Sequence, residues 1–349
     1  MKILYFGSSP APYQLDFWKE LNKFHSIEQI YLLKKIPIHS WEFSDDNSIS
    51  FIDYDYLKFR WKNIKAILRL PKIIFNKQFD LIIIGGYHLP YLITFFAAFI
   101  MRKKIFLWLE RPFETSRIRS IVKRNYFKFL STFATGVLCV GKLAHQYYSQ
   151  FFSNSFNLPY SIHVKKNLSI RKDLDILNFL FIGQLIKRKG IPLILDAFQR
   201  IPDKNIRLLI GGIGAYESHV QLASRHDRRI EYLGYLNQEG KDNVLDGSDV
   251  LLMPSIYDGW GVVLAEGTSR GLFSIVTKTV GAMHDLCDYN NHISVELNIK
   301  SIENAMYSCI HNKDRIFNSK NSIINSFLKT RATSTNAAHD LAEFFREYL

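Results

Sequence analysis

The stretch Leu251-Leu-Met-Pro-Ser-Ile-Tyr-Asp258-Gly-Trp-Gly-Val-Val-Leu-Ala-Glu266-Gly-Thr268 decides how this chain is read. Its apolar start has the character of a buried strand, Asp258 stands in the loop that follows, and a helix starting near Trp260 carries Glu266 in its second turn. Gly259 and Gly261 let the backbone approach a ligand closely. The N–H groups at the helix start, from Gly259 to Val262, are ready donors for a phosphate or a sugar oxygen. Two carboxylates eight residues apart are thereby gathered on one site. Carboxylates there suit a hydroxyl-rich ligand, because each accepts hydrogen bonds from vicinal OH groups. Without a ligand the same pattern is an ordinary strand, turn and helix with a capping Asp and one exposed Glu.

A second strand-to-helix junction, Phe181-Ile-Gly183-Gln184-Leu-Ile-Lys187-Arg188-Lys189-Gly190-Ile-Pro192, places three cations in the loop between Gly183 and a helix that starts around Pro192. Cations beside a helix N-terminus match what a diphosphate leaving group requires. A solvated basic loop is the plainer reading of the same residues. Around these segments, apolar strand-like runs alternate with amphipathic stretches, the pattern of an α/β architecture with parallel sheets. Strands are expected near Lys2–Phe6, Ile27–Leu33, Leu81–Ile84, Ile105–Trp108 and Gly136–Val140. A second series falls near Asn178–Ile182, Arg207–Gly211, Ile230–Leu233, Val250–Met253 and Ser274–Thr277. Lys2-Ile-Leu-Tyr-Phe-Gly7 and Asn178-Phe-Leu-Phe-Ile-Gly183 echo one another 176 residues apart, each opening its own series. The reading is two doubly wound, Rossmann-like domains, residues 1–165 and 166–330, facing a central cleft where ligands of such folds bind. Residues 331–349 form a C-terminal helix that packs back toward the N-terminal domain.

Composition agrees with this and excludes much else. The 349 residues are 47% hydrophobic and 22% charged, which rules out a disordered or collagenous chain. Cys139, Cys287 and Cys309 are too scattered for a disulfide framework or a CxxC site. The net charge of +13 is local. Tyr56–Lys77 carries seven basic residues and no acidic one, and Arg102–Lys128 carries nine basic residues against Glu110 and Glu114. Such a surface meets something anionic. The aromatic and basic stretch Tyr56–Lys77 has the mixture of a helix lying on an anionic membrane, and equally that of a helix packed on a sheet with its lysines solvated. Tyr91–Met101 is about half of what spans a bilayer, so the chain is expected in the cytoplasm, with peripheral contact to the inner face of the cell membrane as a further option. No nucleic-acid-binding pattern is present. Neither glycine turn gives the GxGxxG of a nicotinamide dehydrogenase, and no HExxH of a zinc hydrolase occurs.

From Gly183 onward the motifs fall in a familiar order. The G-x-L-x-x-x-K-G loop at Gly183–Gly190 is followed by Leu208-Leu-Ile-Gly-Gly-Ile-Gly214, Tyr232-Leu-Gly-Tyr235, Ser248-Asp-Val-Leu-Leu-Met-Pro-Ser255 and Asp258-x7-Glu266. The sequence resembles the retaining glycosyltransferases of family 4, group 1 transferases with the GT-B fold. The likeness is close from Asn178 to about Asp285 and softer before it, where Ser8–Gln14 and Leu158-Pro159-Tyr160 carry it. It implies that Glu266 binds the ribose hydroxyls of a nucleotide-sugar donor. It implies further that Asp258 holds hydroxyls of the donor sugar, aided by Gly259, Trp260, Gly261 and Val262, and that Lys189 neutralises the departing diphosphate. No cofactor and no divalent metal is implied, since protein cations take the metal's part. The family usually has Glu at Asp258, whose shorter side chain leaves the sugar contact to be re-set by Trp260. It usually has Arg at Gln184, whose missing charge Arg188 would restore.

In the N-terminal half, His88 follows a strand and could reach a donor sugar or an acceptor hydroxyl, or be incidental. Glu110 stands near where many relatives have a sugar-contacting His, or is merely ion-paired to a basic neighbour. Ser9, Pro10, Tyr13 and Gln14 open a helix and are assigned to the acceptor side. The resemblance thus implies a metal-independent, hexosyl-transferring retaining enzyme that moves a sugar to a glycan or lipid-linked acceptor, in bacterial surface polysaccharide synthesis. The alternative is a catalytically degenerate GT-B protein that serves as a membrane-associated scaffold.

Overall fold

The computed structural model describes residues 1–33, 49–52, 61–113, 116–164, 175–288 and 290–348. The chain divides into two compact units, Met1–His163 with Ser334–Leu349, and Val164–Thr333.

The first unit runs β1 (Lys2–Gly7), α1 (Pro12–Leu21), β2 (Ser26–Tyr31), β3 (Ile49–Phe51), α2 (Trp61–Phe75), β4 (Leu81–Ile84), α3 (Leu89–Ile100), β5 (Lys104–Leu109), α4 (Arg117–Ser131), β6 (Gly136–Cys139), α5 (Lys142–Tyr148) and β7 (Ser155–Asn157). Its strands form a seven-stranded parallel sheet in the order β3-β2-β1-β4-β5-β6-β7. The inner strands are continuous apolar runs because helices cover both faces. Leu81-Ile-Ile-Ile84 is buried at every position, and Leu4, Phe6, Ile82, Ile84, Phe95 and Phe127 lie in one core. The strands β3 and β7, which the sequence pattern did not predict, are three-residue edge strands with no buried residue. Within the described part of Tyr56–Lys77, Ala66, Leu70 and Ile74 of α2 are buried, so this part packs on the sheet; residues 56–60 lie outside the described residues.

The second unit runs β8 (Leu177–Ile182), a 3-10 turn (Lys187–Lys189), α6 (Ile191–Gln199), β9 (Ile206–Gly211), α7 (Glu217–His226), β10 (Ile230–Gly234), α8 (Gln238–Asp246), β11 (Val250–Met253), α9 (Val262–Thr268), β12 (Phe273–Val276), α10 (Met283–Leu286), β13 (His292–Ser294), α11 (Ile299–His311) and α12 (Lys313–Leu328). Six parallel strands follow the order β10-β9-β8-β11-β12-β13. In both units the order reverses beside the first strand, at β1/β4 and at β8/β11. Crevices for ligands open at the carboxyl ends of strands at such a reversal. The fourth strand here is also the one whose register is anchored from below: the buried Asp249 accepts from the Asn178 backbone and pairs with Lys320.

At the β8/β11 reversal the two loops touch backbone to backbone. Gly190, between the 3-10 turn and α6, has a left-handed φ of 78°, and a Cβ there would stand 2.1 Å from the Pro254 carbonyl oxygen. The helix α6 accordingly begins at Ile191, with Pro192 in its first turn. The helix α9 begins at Val262, two residues later than the sequence suggested, because Gly261 is itself left-handed with φ 97°.

The last helix, α13 (Ser334–Tyr348), belongs to the first unit and packs on α1. Phe345 is 2% exposed, with its ring 5.4 Å from Phe106 and 6.2 Å from the His25 ring. Phe345→Ala should lower the stability of the first unit by about 3–5 kcal/mol, the usual cost of an emptied aromatic site, read by urea unfolding. Gly190→Ala should cost about 1–3 kcal/mol through the dihedral alone, with the clash on Pro254 added, and lower the melting temperature of the second unit.

Candidate active site

Loops after β8 and β11 build the site of the second unit. The 3-10 turn Lys187–Lys189 turns the chain so that three successive cations precede α6. Two polar contacts then fasten it to the β11 loop: the Ile256 N–H donates to the Arg188 carbonyl at 2.8 Å, and Arg188 Nη1 donates to the Tyr257 carbonyl at 2.5 Å. Lys189 follows and forms an ion pair with Asp258 through Nζ and Oδ2. Both partners are largely shielded from solvent, with side chains 18% and 14% exposed, so their attraction is screened less than at an open surface. The two residues to which the family resemblance assigned different duties are thus in direct contact. Arg188 spends one of its five donors on the opposite loop, which holds its guanidinium at the loop junction.

Behind Asp258 the loop is pinned by a segment the sequence analysis did not single out. The Asp258 N–H donates to the Thr279 carbonyl and its carbonyl accepts from Gly281, both at 3.3 Å. Thr277 and Thr279 hydroxyls both donate to the Ser255 carbonyl. Gly281 lies so close that a Cβ would stand 2.4 Å from the Gly259 oxygen. The run Thr277-Lys-Thr-Val-Gly281 after β12 held that signal, a hydroxyl-rich turn closed by glycine.

Trp260 requires a correction. Its side chain is 1% exposed and its indole N–H donates to Asp285 at 3.1 Å, so the ring is part of the core and cannot re-set a sugar contact. What this stretch presents is backbone, with Gly261 capping α9 and no side chain capping that helix start. Gly183 closes β8, its N–H on the Gly211 carbonyl, and the half-buried Gln184 follows it. Next to it Gly212 approaches Gly183 so closely that a Cβ would lie 1.9 Å from the Gly183 oxygen.

Glu266 lies in α9 and is not the exposed residue of the plainer reading. Its Oε1 accepts from Lys241 Nζ of α8 at 2.5 Å, while Oε2 is buried and has no hydrogen-bond partner among the described residues. Beneath it Arg270 is a rigid strut: its guanidinium donates to Asp246, to Asp242 and to the Glu266 carbonyl at 2.9, 2.6 and 2.9 Å. Lys241, Asp242, Asp246 and Arg270 were not legible as site residues, because the first three are charged residues on an ordinary helix and Arg270 stands in the turn after α9. Only the tertiary fold brings them to Glu266, through the bonds of Lys241 to Glu266 and of Arg270 to Asp242 and Asp246.

In the first unit the corresponding strand ends are those of β1 and β4. His88 is exposed and caps α3 through its carbonyl, its ring 4.8 Å from that of Tyr87. Glu110, just past β5, is exposed; its carbonyl accepts from Tyr148 at 3.0 Å and its carboxylate is hydrogen-bonded to the Tyr160 phenol. Burial first, and that carboxylate second, push Tyr160 well above the ordinary phenol range. Tyr160 is thus one partner of Glu110. Of the four residues assigned to the acceptor side, Ser9, Pro10 and Gln14 are buried, and Gln14 is hydrogen-bonded to the Tyr5 hydroxyl. Tyr13 alone of the four is half-exposed, its ring 5.1 Å from Tyr160.

Comparison with known proteins gives this geometry its context. Residues 165–326 match the family model described as Glycosyl transferases group 1. Among curated relatives, an uncharacterized glycosyltransferase of Methanocaldococcus jannaschii is 26% identical over 198 residues, covering 56% of this chain and 55% of that one. A glycogen synthase of Alkaliphilus metalliredigens is 22% identical over 193 residues, covering 52% and 40%. The chain thus spans between a quarter and just over half the length of the curated relatives it matches. Among solved structures, Anabaena HepE in complex with UDP and glucose matches with a TM-score of 0.74 at 14% identity, over 99% of this chain and all of that one. The lipopolysaccharide outer core galactosyltransferase WaaB, in its apo form, matches with a TM-score of 0.70 at 14% identity over the whole of both chains. At that identity the likeness is one of fold, the two Rossmann-like units of GT-B glycosyltransferases. Over residues 165–326, which lie in the second of its two Rossmann-like units, this chain is similar to the glycosyl transferases of group 1.

Proposed function

We propose that the chain is a retaining glycosyltransferase that transfers a hexosyl group from a nucleotide-sugar donor to a glycan or lipid-linked acceptor, without a divalent metal. The observation that carries the donor site is Glu266. One oxygen is held by Lys241 and the other is buried with no hydrogen-bond partner among the described residues, a costly state for an acceptor. A pair of vicinal ribose hydroxyls supplies the donors such a carboxylate lacks. The fold-level match to HepE, whose structure holds UDP and glucose, supports a nucleotide-sugar as the ligand class.

In this reading the diphosphate lies along the 3-10 turn, where Lys189 and Arg188 stabilise the charge that grows on the leaving phosphate. Lys189 has three donors and spends one on Asp258, so it can hold a phosphate oxygen and the sugar-binding carboxylate together. Asp258 in turn accepts from hydroxyls of the donor sugar, and the backbone of Gly259 to Val262 and of Gly183 and Gln184 borders the same ligand. These protein cations do the work that a metal does elsewhere. Retention follows if the acceptor hydroxyl attacks on the face that the phosphate leaves, with the departing phosphate taking its proton. In the first unit, Tyr13, His88 and Glu110 are the exposed or half-exposed polar groups for an acceptor. The match to WaaB, a lipopolysaccharide galactosyltransferase, supports bacterial surface polysaccharide as the setting. Among the described residues no helix is long and apolar enough to cross a membrane; the proposed workplace is the cytoplasm, beside the inner face of the cell membrane.

Thermal unfolding against UDP, GDP, ADP, CDP and their common sugars, with and without EDTA, tests the donor site. One nucleotide at about a hundred times its Kd should stabilise by roughly 2.7 kcal/mol, and the shift should survive EDTA and vanish in Glu266→Ala. No shift with any nucleotide would overturn the reading in favour of the scaffold. Lys189→Met and Arg188→Ala should each lower turnover by about tenfold or more, as loss of transition-state charge stabilisation does; unchanged turnover in Arg188→Ala would confine that residue to fastening the loop.

A further inference from the structure

The helix α4 has two apolar faces, and among the described residues only one of them is packed. Phe127 and Leu130 turn into the core of the first unit. Ile118, Ile121, Val122, Asn125 and Phe129 recur at i, i+3, i+4, i+7 and i+11, which puts them in one stripe roughly opposite the buried pair. That spacing ordinarily marks a face that packs, yet Ile118 is 76% and Val122 63% exposed, with Ile121 and Phe129 above half. The stripe continues onto α3. Phe133, just past α4, has its ring 5.1 Å from Phe129, 5.2 Å from Phe99 and 6.2 Å from Phe96, and Ile100 beyond them is 68% exposed. A contiguous apolar surface of this kind is covered by something when the protein works.

The charge around the stripe says what covers it. Arg124 and Lys128 run along one edge and Arg119 along the other, all exposed, and α4 contains no acidic residue. A second copy seated on the same face would set these cations against their own counterparts, a like-charge arrangement that disfavours pairing. An anionic lipid surface accepts both features at once: aliphatic side chains enter the acyl boundary while long basic side chains reach back to the headgroups. We propose that the outward face of α4, with the exposed end of α3, docks this protein on an anionic bilayer, the helix lying in the plane of the interface. The surface is separate from the residues assigned to sugar transfer, and its test does not depend on that assignment.

The test is co-sedimentation of the full chain with vesicles of phosphatidylcholine alone, or with about a third phosphatidylglycerol. Binding to the anionic vesicles, weakened by added salt, is the expected result. The triple variant Ile118→Gln/Ile121→Gln/Val122→Gln keeps good helix formers at exposed positions, so its melting temperature should hold while binding falls by about tenfold or more. Arg119→Glu/Arg124→Glu/Lys128→Glu should lose binding to a similar degree, and serves if the first variant melts early. No binding of the wild type to anionic vesicles overturns the proposal. So does full binding by both variants, which would move the membrane contact elsewhere, or a wild-type dimer that the variants abolish in the absence of vesicle binding, which would make a second copy the occupant.

Discussion

Everything at the candidate donor site depends on one close approach, that of Gly190 to the carbonyl of Pro254. The approach is possible because β8 and β11 are neighbours at the point where the strand order reverses, so their loops leave the sheet side by side. With no Cβ at position 190, the two backbones come into contact, and the Arg188 and Ile256 main chains can then bond. From that contact follow the pairing of Lys189 with Asp258 and the tether from Arg188 to Tyr257. Any side chain at 190 would separate the loops and with them the cation and the carboxylate that the proposed chemistry needs together.

The electrostatics of the second unit are arranged around buried carboxylates that are not all treated alike. Asp249 accepts from the Asn178 N–H and is ion-paired to Lys320, and its role is to hold strand ends. Asp242 and Asp246 are spent on Arg270, which makes the base under α9 rigid. Glu266 has one oxygen neutralised by Lys241 and the other, among the described residues, without a hydrogen bond. A protein that keeps a buried acceptor without a partner gives up stability at that point, and such an expense is made where a ligand returns it.

The first unit separates its basic residues from its sheet. On α2, Leu70 and Ile74 enter the core while Arg69 and Lys72 stay outside, an ordinary amphipathic division. On α4 the cations flank aliphatic groups that the fold leaves uncovered. The excess positive charge, confined to Tyr56–Lys77 and Arg102–Lys128, is therefore not spread as a solubilising coat; part of it frames an apolar surface.

How much of this could be read in advance follows from the range of the interactions involved. The inner strands were legible because burial on both faces turns each into a continuous apolar run, as in Leu81-Ile-Ile-Ile84 and Val250-Leu-Leu-Met253. The edge strands β3, β7 and β13 were not, since three half-buried or exposed residues make no such run. Asp258, Glu266 and Lys189 could be singled out because glycines and a strand-to-helix change surround each within a few positions. By contrast the burial of Ser9 and Gln14 was not legible, nor that Trp260 is a core residue bonded to Asp285. Polar or aromatic character alone does not tell which way a loop side chain turns. The sequence by itself determined two series of parallel strands, the glycine turns after β8 and β11, and the family to which residues 165–326 are matched, because each of these is written in local composition and order. Only the tertiary structure decided which charges meet: Lys241 with Glu266 across 25 positions, Lys189 with Asp258 across 69, and the two apolar faces of α4, one buried and one bare. Those depend on which helices pack and on the directions of their side chains, and distance along the chain carries no record of either.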